Sequence, residues 1–308
     1  MKRLSLVLML VSAAPVQAGD PLSVMLDWFV NPDHGPILVA EERGYFTAAG
    51  LDVTLIAPAD PADPPKMAAA GQVDLAVSYQ PQLYLQHAAG LGLKRVGTLI
   101  DAPLYCVMAD AAGPVKTMAD LRGRKVGYSL AGIEEALMQR MLRHNGVDPA
   151  EVTTINVNFA LTPALAAGQV DAVSGAFRNF ELHQMEAVGH KGRCFNPEDN
   201  GVPAYDELIY LARPDLAGDD RIARFLAATG RAAREIAADP QAGWQDFRAH
   251  APELDDPLNA KAWADTWPQF ARDPAALDVP RYQAFGAFLV ETGLIDHAPP
   301  VAEIAVGP

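Results

Sequence analysis

Ala69-Ala70-Gly71-Gln72-Val73-Asp74 recurs unchanged as Ala166-Ala167-Gly168-Gln169-Val170-Asp171, 97 residues further along the chain. Each copy closes an alanine-rich, helix-forming stretch with glycine. Each then runs into an apolar segment, Leu75-Ala76-Val77 after the first and Ala172-Val173-Ser174 after the second. A glycine just past a helix end with a strand directly behind it is the helix-to-strand joint of a parallel α/β layer. Two identical joints one lobe-length apart predict two similar α/β lobes rather than one large sheet.

Working outward from the first joint, strands are expected at 22–26, 51–56 and 73–78, with helices over 37–43 and 66–70 between them. The stretch 27–36 is a polar and aromatic loop, and 58–65 a Pro/Asp loop. Residues 104–109 and 207–212 read as two crossing strands, and 125–128 opens the second sheet. Amphipathic helices at 221–238, 241–250 and 282–292 read as scaffold around the first lobe. The expected organisation is α/β, with lobe 1 made of 19–106 and 207–308 and lobe 2 of 107–206. Each lobe is a mostly parallel sheet flanked by helices. In such sheets ligands bind at the carboxyl ends of the strands, which puts Trp28, Asn31 and His34 on one rim with Ser78, Tyr79 and Gln80.

Composition narrows the function. Lys+Arg 24 against Asp+Glu 38 gives a net charge of −14, and half of the 308 residues are hydrophobic. The chain is therefore a folded protein, a poor match to nucleic acid and to an anionic membrane surface. Lys2 and Arg3, an apolar run over 4–11 and Val16-Gln17-Ala18 read as a secretory signal cleaved after Ala18. The run is too short to span a bilayer. Export to the periplasm follows, with a charge of −16 once Lys2 and Arg3 are removed. In an oxidising compartment Cys106 and Cys194 either pair or remain two buried thiols. Neither the two cysteines nor the seven histidines have metal-ligand spacing, and no nucleophile, zinc-protease or P-loop motif is present.

Leu26-Asp27-Trp28-Phe29-Val30-Asn31-Pro32-Asp33-His34, Gly44-Tyr45-Phe46, Gly50-Leu51-Asp52-Val53 and Asp120-Leu121-Arg122-Gly123-Arg124-Lys125-Val126-Gly127 together resemble the NMT1/THI5-like solute-binding proteins of ABC importers. The opening LDW…N…H resembles the ThiY-like branch that binds thiamine-precursor pyrimidines. The likeness runs from about Leu22 to about Arg213. It implies a type II periplasmic binding protein fold, in which two lobes joined by two crossing strands close on a small molecule. It further implies a monomer that hands its pyrimidine to an ABC permease and its ATPase subunit, with no cofactor. The pyrimidine-synthesising relatives use a histidine of their own and pyridoxal phosphate; this chain lacks a matching cysteine-rich motif, and no catalysis is expected of it.

A flat aminopyrimidine calls for aromatic faces and a few directed polar groups. Trp28 and Tyr79 are candidates to sandwich the ring. Asn31 either meets the ring edge or serves as a turn residue. His34 either bonds the ligand or caps the helix behind it, with Asp33 as the expected N-cap. In lobe 2, Tyr128, Ser129, Glu134 and Glu135 lie where a strand passes into a helix. The two glutamates are acceptors for an exocyclic amine and, in the first helical turn, disfavour an anion. After the second joint, Phe180 and Glu181 fit the aromatic and acidic cluster of the ThiY-like proteins. Arg178 departs from it, pairing either with Glu181 or with an anionic ligand group. Tyr205 and Asp206 are rim candidates. The competing ligands are an alkyl sulfonate or nitrate, favoured by Arg178, and a flavin.

Overall fold

Both copies of the repeat end a helix and open the central parallel strand of a five-stranded sheet. The computed structural model describes residues 19–307; the expected export signal lies outside them. Ten strands follow in chain order: β1 Asp20–Met25, β2 Leu51–Ile56, β3 Leu75–Tyr79, β4 Lys94–Ile100, β5 Tyr105–Asp110, β6 Lys125–Tyr128, β7 Thr153–Asn156, β8 Ala172–Phe177, β9 Gly192–Phe195 and β10 Leu208–Ala212. They form two sheets, ordered β2-β1-β3-β10-β4 and β7-β6-β8-β5-β9. In the first, β10 alone runs against its neighbours β3 and β4; in the second, β5 alone runs against β8 and β9. The two sheets thus have the same plan, and each exchanges one reversed strand with the other half of the chain.

The joints are built alike because the same atoms are used. Past the helix Asp63–Ala69, Gly71 has φ 70° and the Gln72 N–H bonds back to Met67 O at 2.9 Å. Past the helix Leu161–Ala166, Gly168 has φ 66° and the Gln169 N–H bonds back to Ala164 O at 3.0 Å. This is a Schellman stop, which needs glycine at its left-handed position. The final aspartate of each copy then latches the joint to the neighbouring strand. Asp74 Oδ2 accepts from Ser23 N at 2.9 Å, and Asp171 Oδ2 from Lys125 N at 3.0 Å.

Several boundaries differ from the sequence expectation. The helix expected at 66–70 begins at Asp63, because Pro64 and Pro65 fall in its first turn, where the missing N–H is no loss. Likewise the helix expected at 37–43 runs Gly35–Glu42 around Pro36. The segments expected to cross between lobes are β5 and β10, yet each lies wholly within one sheet. The crossing is made just before each of them, so the expected boundary at 106/107 falls inside β5. Glu207 Oε2 accepts from Leu104 N at 2.6 Å and from Tyr105 N at 2.8 Å, tying the outgoing crossover to the returning one.

The helices Asp220–Ala238 and Pro240–Ala249 pack on Gly35–Glu42, as scaffold of the first lobe. A further helix, Pro257–Thr266, was not anticipated and is not confined to that lobe. Its Asp265 meets His183 Nε2 at 2.7 Å, its Lys261 meets Glu186 at 3.0 Å, and Thr266 Oγ1 accepts from Asn179 Nδ2 at 2.7 Å. Of the two states open to the cysteines, pairing is the one found: Cys106 on β5 is joined to Cys194 on the edge strand β9. No helix among the described residues is long and apolar enough to cross a membrane.

Candidate ligand-binding site

The lobes meet around a cleft at the carboxyl ends of β1, β3, β6 and β8. Both expected rims contribute. Asp27, Trp28, Asn31 and Asp33 come from the loop after β1, and Tyr79 from the end of β3. Leu130, Ile133 and Glu134 follow β6; Gly175 and Phe177 lie on β8, with Phe180 and Glu181 just beyond it. The crossovers add Tyr105 and Glu207.

The loop after β1 is set by a local network. Asn31, not Asp33, is the N-cap of the short turn Pro32–His34: its Oδ1 accepts from Asp33 N at 2.8 Å. The expectation for Asp33 fails because its carboxylate points across the interface, accepting from Asn179 Nδ2 at 2.6 Å. His34 is fully buried and does not reach the cleft. Its Nδ1 accepts from Asn31 N at 3.3 Å, so the proton sits on Nε2, which donates to Asp27 Oδ1 at 3.0 Å. Asp27 Oδ2 in turn accepts from Tyr79 OH at 2.8 Å. His34 therefore orients Asp27 and Tyr79 from behind.

In lobe 2, neighbouring residues split between cleft and exterior. Glu134 and Glu135 are one residue apart on the helix Ile133–His144, about 100° around its axis, so only one faces the ligand space. That one is Glu134, whose Oε2 accepts from Ser129 N at 2.7 Å. Glu135 turns outward to Thr154 Oγ1 at 3.0 Å. Ser129 acts through its backbone N–H, and neither its side chain nor Tyr128 lines the cavity. Glu181 Oε2 accepts from Phe177 N at 2.7 Å. Burial pushes the carboxyls up, against these N–H bonds: Glu134 to about 8, and Asp33, Glu181 and Glu207 to about 7.

Arg178 corrects both of its expectations. It meets neither Glu181 nor the cleft; its guanidinium leaves the opposite face to pair with Glu198, 2.9 Å away, and to bond Tyr105 O at 3.2 Å. Tyr205 is also turned away, wholly buried edge-on to Phe285 at 5.3 Å. Asp206 is structural, held by Arg281 at 2.6 Å and Thr98 at 2.9 Å. Among the lining residues there is consequently no Lys or Arg, against five carboxyl groups. Two aromatic residues that the sequence did not single out, Tyr105 and Phe177, also line the cleft, whereas Phe159 packs on Trp28 without being among the lining residues. Trp28 lies edge-on to Phe159 at 4.5 Å, and Tyr79 edge-on to Phe177 at 6.2 Å. Phe159, in the loop after β7, carried no periodic signal that could have marked it.

A family model described as NMT1/THI5 like matches residues 31–243. The chain belongs to the NMT1/THI5-like family. Among its relatives, a Haemophilus influenzae protein named for thiamine biosynthesis is 48% identical over 98% of this chain and 96% of its own. A formylaminopyrimidine-binding protein of Halalkalibacterium halodurans is 36% identical over 72% of this chain and 67% of its own. A Legionella pneumophila 4-amino-5-hydroxymethyl-2-methylpyrimidine phosphate synthase is 26% identical over 82% of this chain and 80% of its own. Among solved structures, the alkanesulfonate-binding protein SsuA of Xanthomonas axonopodis pv. citri, bound to MOPS, superposes with a TM-score of 0.73 at 18% identity, covering 96% of this chain and 100% of that one. The fold of this NMT1/THI5-like chain is that of the periplasmic binding proteins.

The elevated carboxyls of this NMT1/THI5-like cleft make a pH prediction. Groups whose folded pKa exceeds the unfolded value bind more protons when folded, so stability falls as pH rises. The window runs from the ordinary glutamate value of 4.5 up through about 8. The unliganded protein is expected to melt several degrees lower at pH 8.5 than at pH 5.5. A flat or rising melting temperature across that range would show that the cleft carboxyls are hydrated.

Proposed function

We propose that this chain binds a thiamine-precursor pyrimidine, of the hydroxymethyl- or formylaminopyrimidine type, between its lobes and presents it to an ABC permease from the periplasm. The observation that carries this is the composition of the cleft: aromatic faces from both lobes, carboxylate acceptors, and no basic residue. An aminopyrimidine offers a flat ring and N–H donors, matching that inventory. The 36%-identical formylaminopyrimidine-binding relative supports the same ligand class. A sulfonate or nitrate would face several carboxyls with no countercharge, since Arg178 is engaged with Glu198. The synthases match at lower identity than the two relatives above, and binding without catalysis is the reading adopted. In this reading the chain between the two crossovers is the lobe that swings, and the permease recognises the closed form.

The test is a thermal-shift panel on the mature protein, refolded free of ligand, with hydroxymethylpyrimidine, its formylamino form, thiamine, riboflavin, an alkyl sulfonate and nitrate. A ligand at about 1,000 times its Kd adds about 4 kcal/mol, a rise of several degrees. A rise with the sulfonate or nitrate and none with pyrimidines would overturn the reading. Trp28→Ala is expected to weaken pyrimidine binding by about 2 kcal/mol, from lost burial and ring contact. Calorimetric titration checks it, and wild-type affinity would remove Trp28 from the site. Export is tested by sequencing the amino terminus of the periplasmic form, expected to begin at Gly19.

A further inference from the structure

The hydrogen-bond inventory of the cleft says more about its ligand than ring shape does. Of the cleft carboxyls, Asp27 is held through both oxygens, by His34 and Tyr79, and three others through one. Glu134 and Glu181 use Oε2, on Ser129 N and Phe177 N, and Asp33 uses Oδ1, on Asn179. Trp28 lines the same cavity, and its indole Nε1 is buried without an acceptor in a residue 9% exposed. What the cleft offers an occupant is therefore carboxyl groups and no basic side chain.

Charge sharpens this. The titratable groups facing the space are Asp27, Asp33 and Tyr79 from lobe 1, Glu134 and Glu181 from lobe 2, and Tyr105 and Glu207 from the crossovers. Glu135 and Arg178 stand behind Glu134 and Glu207 and act on them only through the field. No cation lines the cavity to balance the carboxyls. A ring that becomes positive beside Glu134 is the countercharge of the carboxylate formed there.

We propose that the ring is held as a cation: a nitrogen heteroaromatic whose basic ring nitrogen takes the proton of the Glu134 carboxyl, leaving a carboxylate–ring ion pair. One O–H bond breaks and one N–H bond forms, and no other reactant is needed. Glu134 is placed for the step: it lines the cavity and its Oε2 is anchored on Ser129 N at 2.7 Å. Burial raises it to about 8, so it meets the ring carrying a proton and releases it only as the ion pair with the ring forms. Once ionised, it is stabilised by the Ser129 and Leu130 N–H groups already in place. Glu181, its acidic neighbour across the cavity, takes an exocyclic N–H. The site would thus reject isosteric rings that have no basic nitrogen, whatever their fit to the aromatic wall.

This rests on the pyrimidine reading above, and the experiment separates the two. Hydroxymethylpyrimidine labelled with ¹⁵N in the ring is bound to the wild-type protein at pH 7.5, and its ¹⁵N shift is compared with those of the free ring in acid and in base. The expected result is the acid-form shift in the complex. A base-form shift would overturn the cation while leaving the pyrimidine site intact. Absence of binding would overturn both. Glu134→Gln, an isosteric change that keeps the Ser129 bond, is expected to return the ring to its unprotonated shift and to weaken binding at least ~10-fold. A ring still protonated in that variant would overturn Glu134 as the proton source. Glu181→Gln is expected to weaken binding and leave the ring protonated.

Discussion

Gly175→Ala is expected to weaken ligand binding about 100-fold in a protein that still folds. Gly175 sits on β8 with φ 96°, a region that side chains with a Cβ rarely occupy. A Cβ added there would lie 2.3 Å from Glu134 Cδ and Oε1 and 2.5 Å from Oε2. The carboxyl would have to leave its place on Ser129 N, and with it the best-placed acceptor in the cleft. The backbone strain costs about 1–3 kcal/mol of stability, which a domain of this size tolerates. The loss of binding is expected to reach about 100-fold, since a buried charged partner is both displaced and left unpaired. Circular dichroism with calorimetric titration of one preparation decides it. Native binding in the variant would show that Glu134 does not hold the ligand.

Arg95→Met is expected to cost about 3–5 kcal/mol of stability, lowering the melting temperature by roughly 10 °C. Arg95 is completely buried at the start of β4. Its guanidinium donates to Pro274 O at 3.1 Å, Val306 O at 2.9 Å and Thr98 Oγ1 at 2.9 Å, and also to Ala276 O. It thereby gathers the loop near 275 and the carboxy-terminal tail onto the outer strand of the first sheet. Methionine fills similar volume and donates nothing, leaving several buried carbonyls unpaired. Lysine retains charge without the planar fork and is expected to fall between. Melts of the two variants beside the wild type provide the check. A loss below about 1 kcal/mol for Arg95→Met would mean that water replaces the guanidinium.

The lobes were legible in the sequence because their joints are local. A Schellman glycine and a latching aspartate need only six consecutive residues, so a duplicated joint is visible as a duplicated string. Trp28, Asn31, Tyr79, Glu134, Phe180 and Glu181 were legible for a related reason: strand ends of a parallel sheet share a rim, and all six line the cleft. The failures lie where direction depends on one residue or on distant packing. Phe177 faces in and Arg178 faces out; Glu134 faces in and Glu135 faces out. A strand or helix pattern places the pair without saying which member enters. Tyr105 and Glu207 escaped notice because their orientation is fixed by the crossovers, where contacts such as Glu207 with Leu104 span 103 residues of chain; Asp27 did because it is turned into the cleft by His34 and the distant Tyr79. His34 looked like a ligand group because a buried histidine supporting an aspartate has the same sequence signature as one that touches a ligand.

The polar contacts between the lobes have a kinetic consequence. Asn179 holds Asp33 and Thr266 together, while His183 and Lys261 span the same seam. Each such bond contributes only about 1 kcal/mol net, because water replaces it on opening. In the proposed binding role, four such contacts would make the parting of this seam, beside the grip of the cleft, a limit on how fast a ligand leaves. A surface competing for Asn179 or Lys261 would then speed release without touching the ligand, and affinity and release rate would be tuned by separate residues.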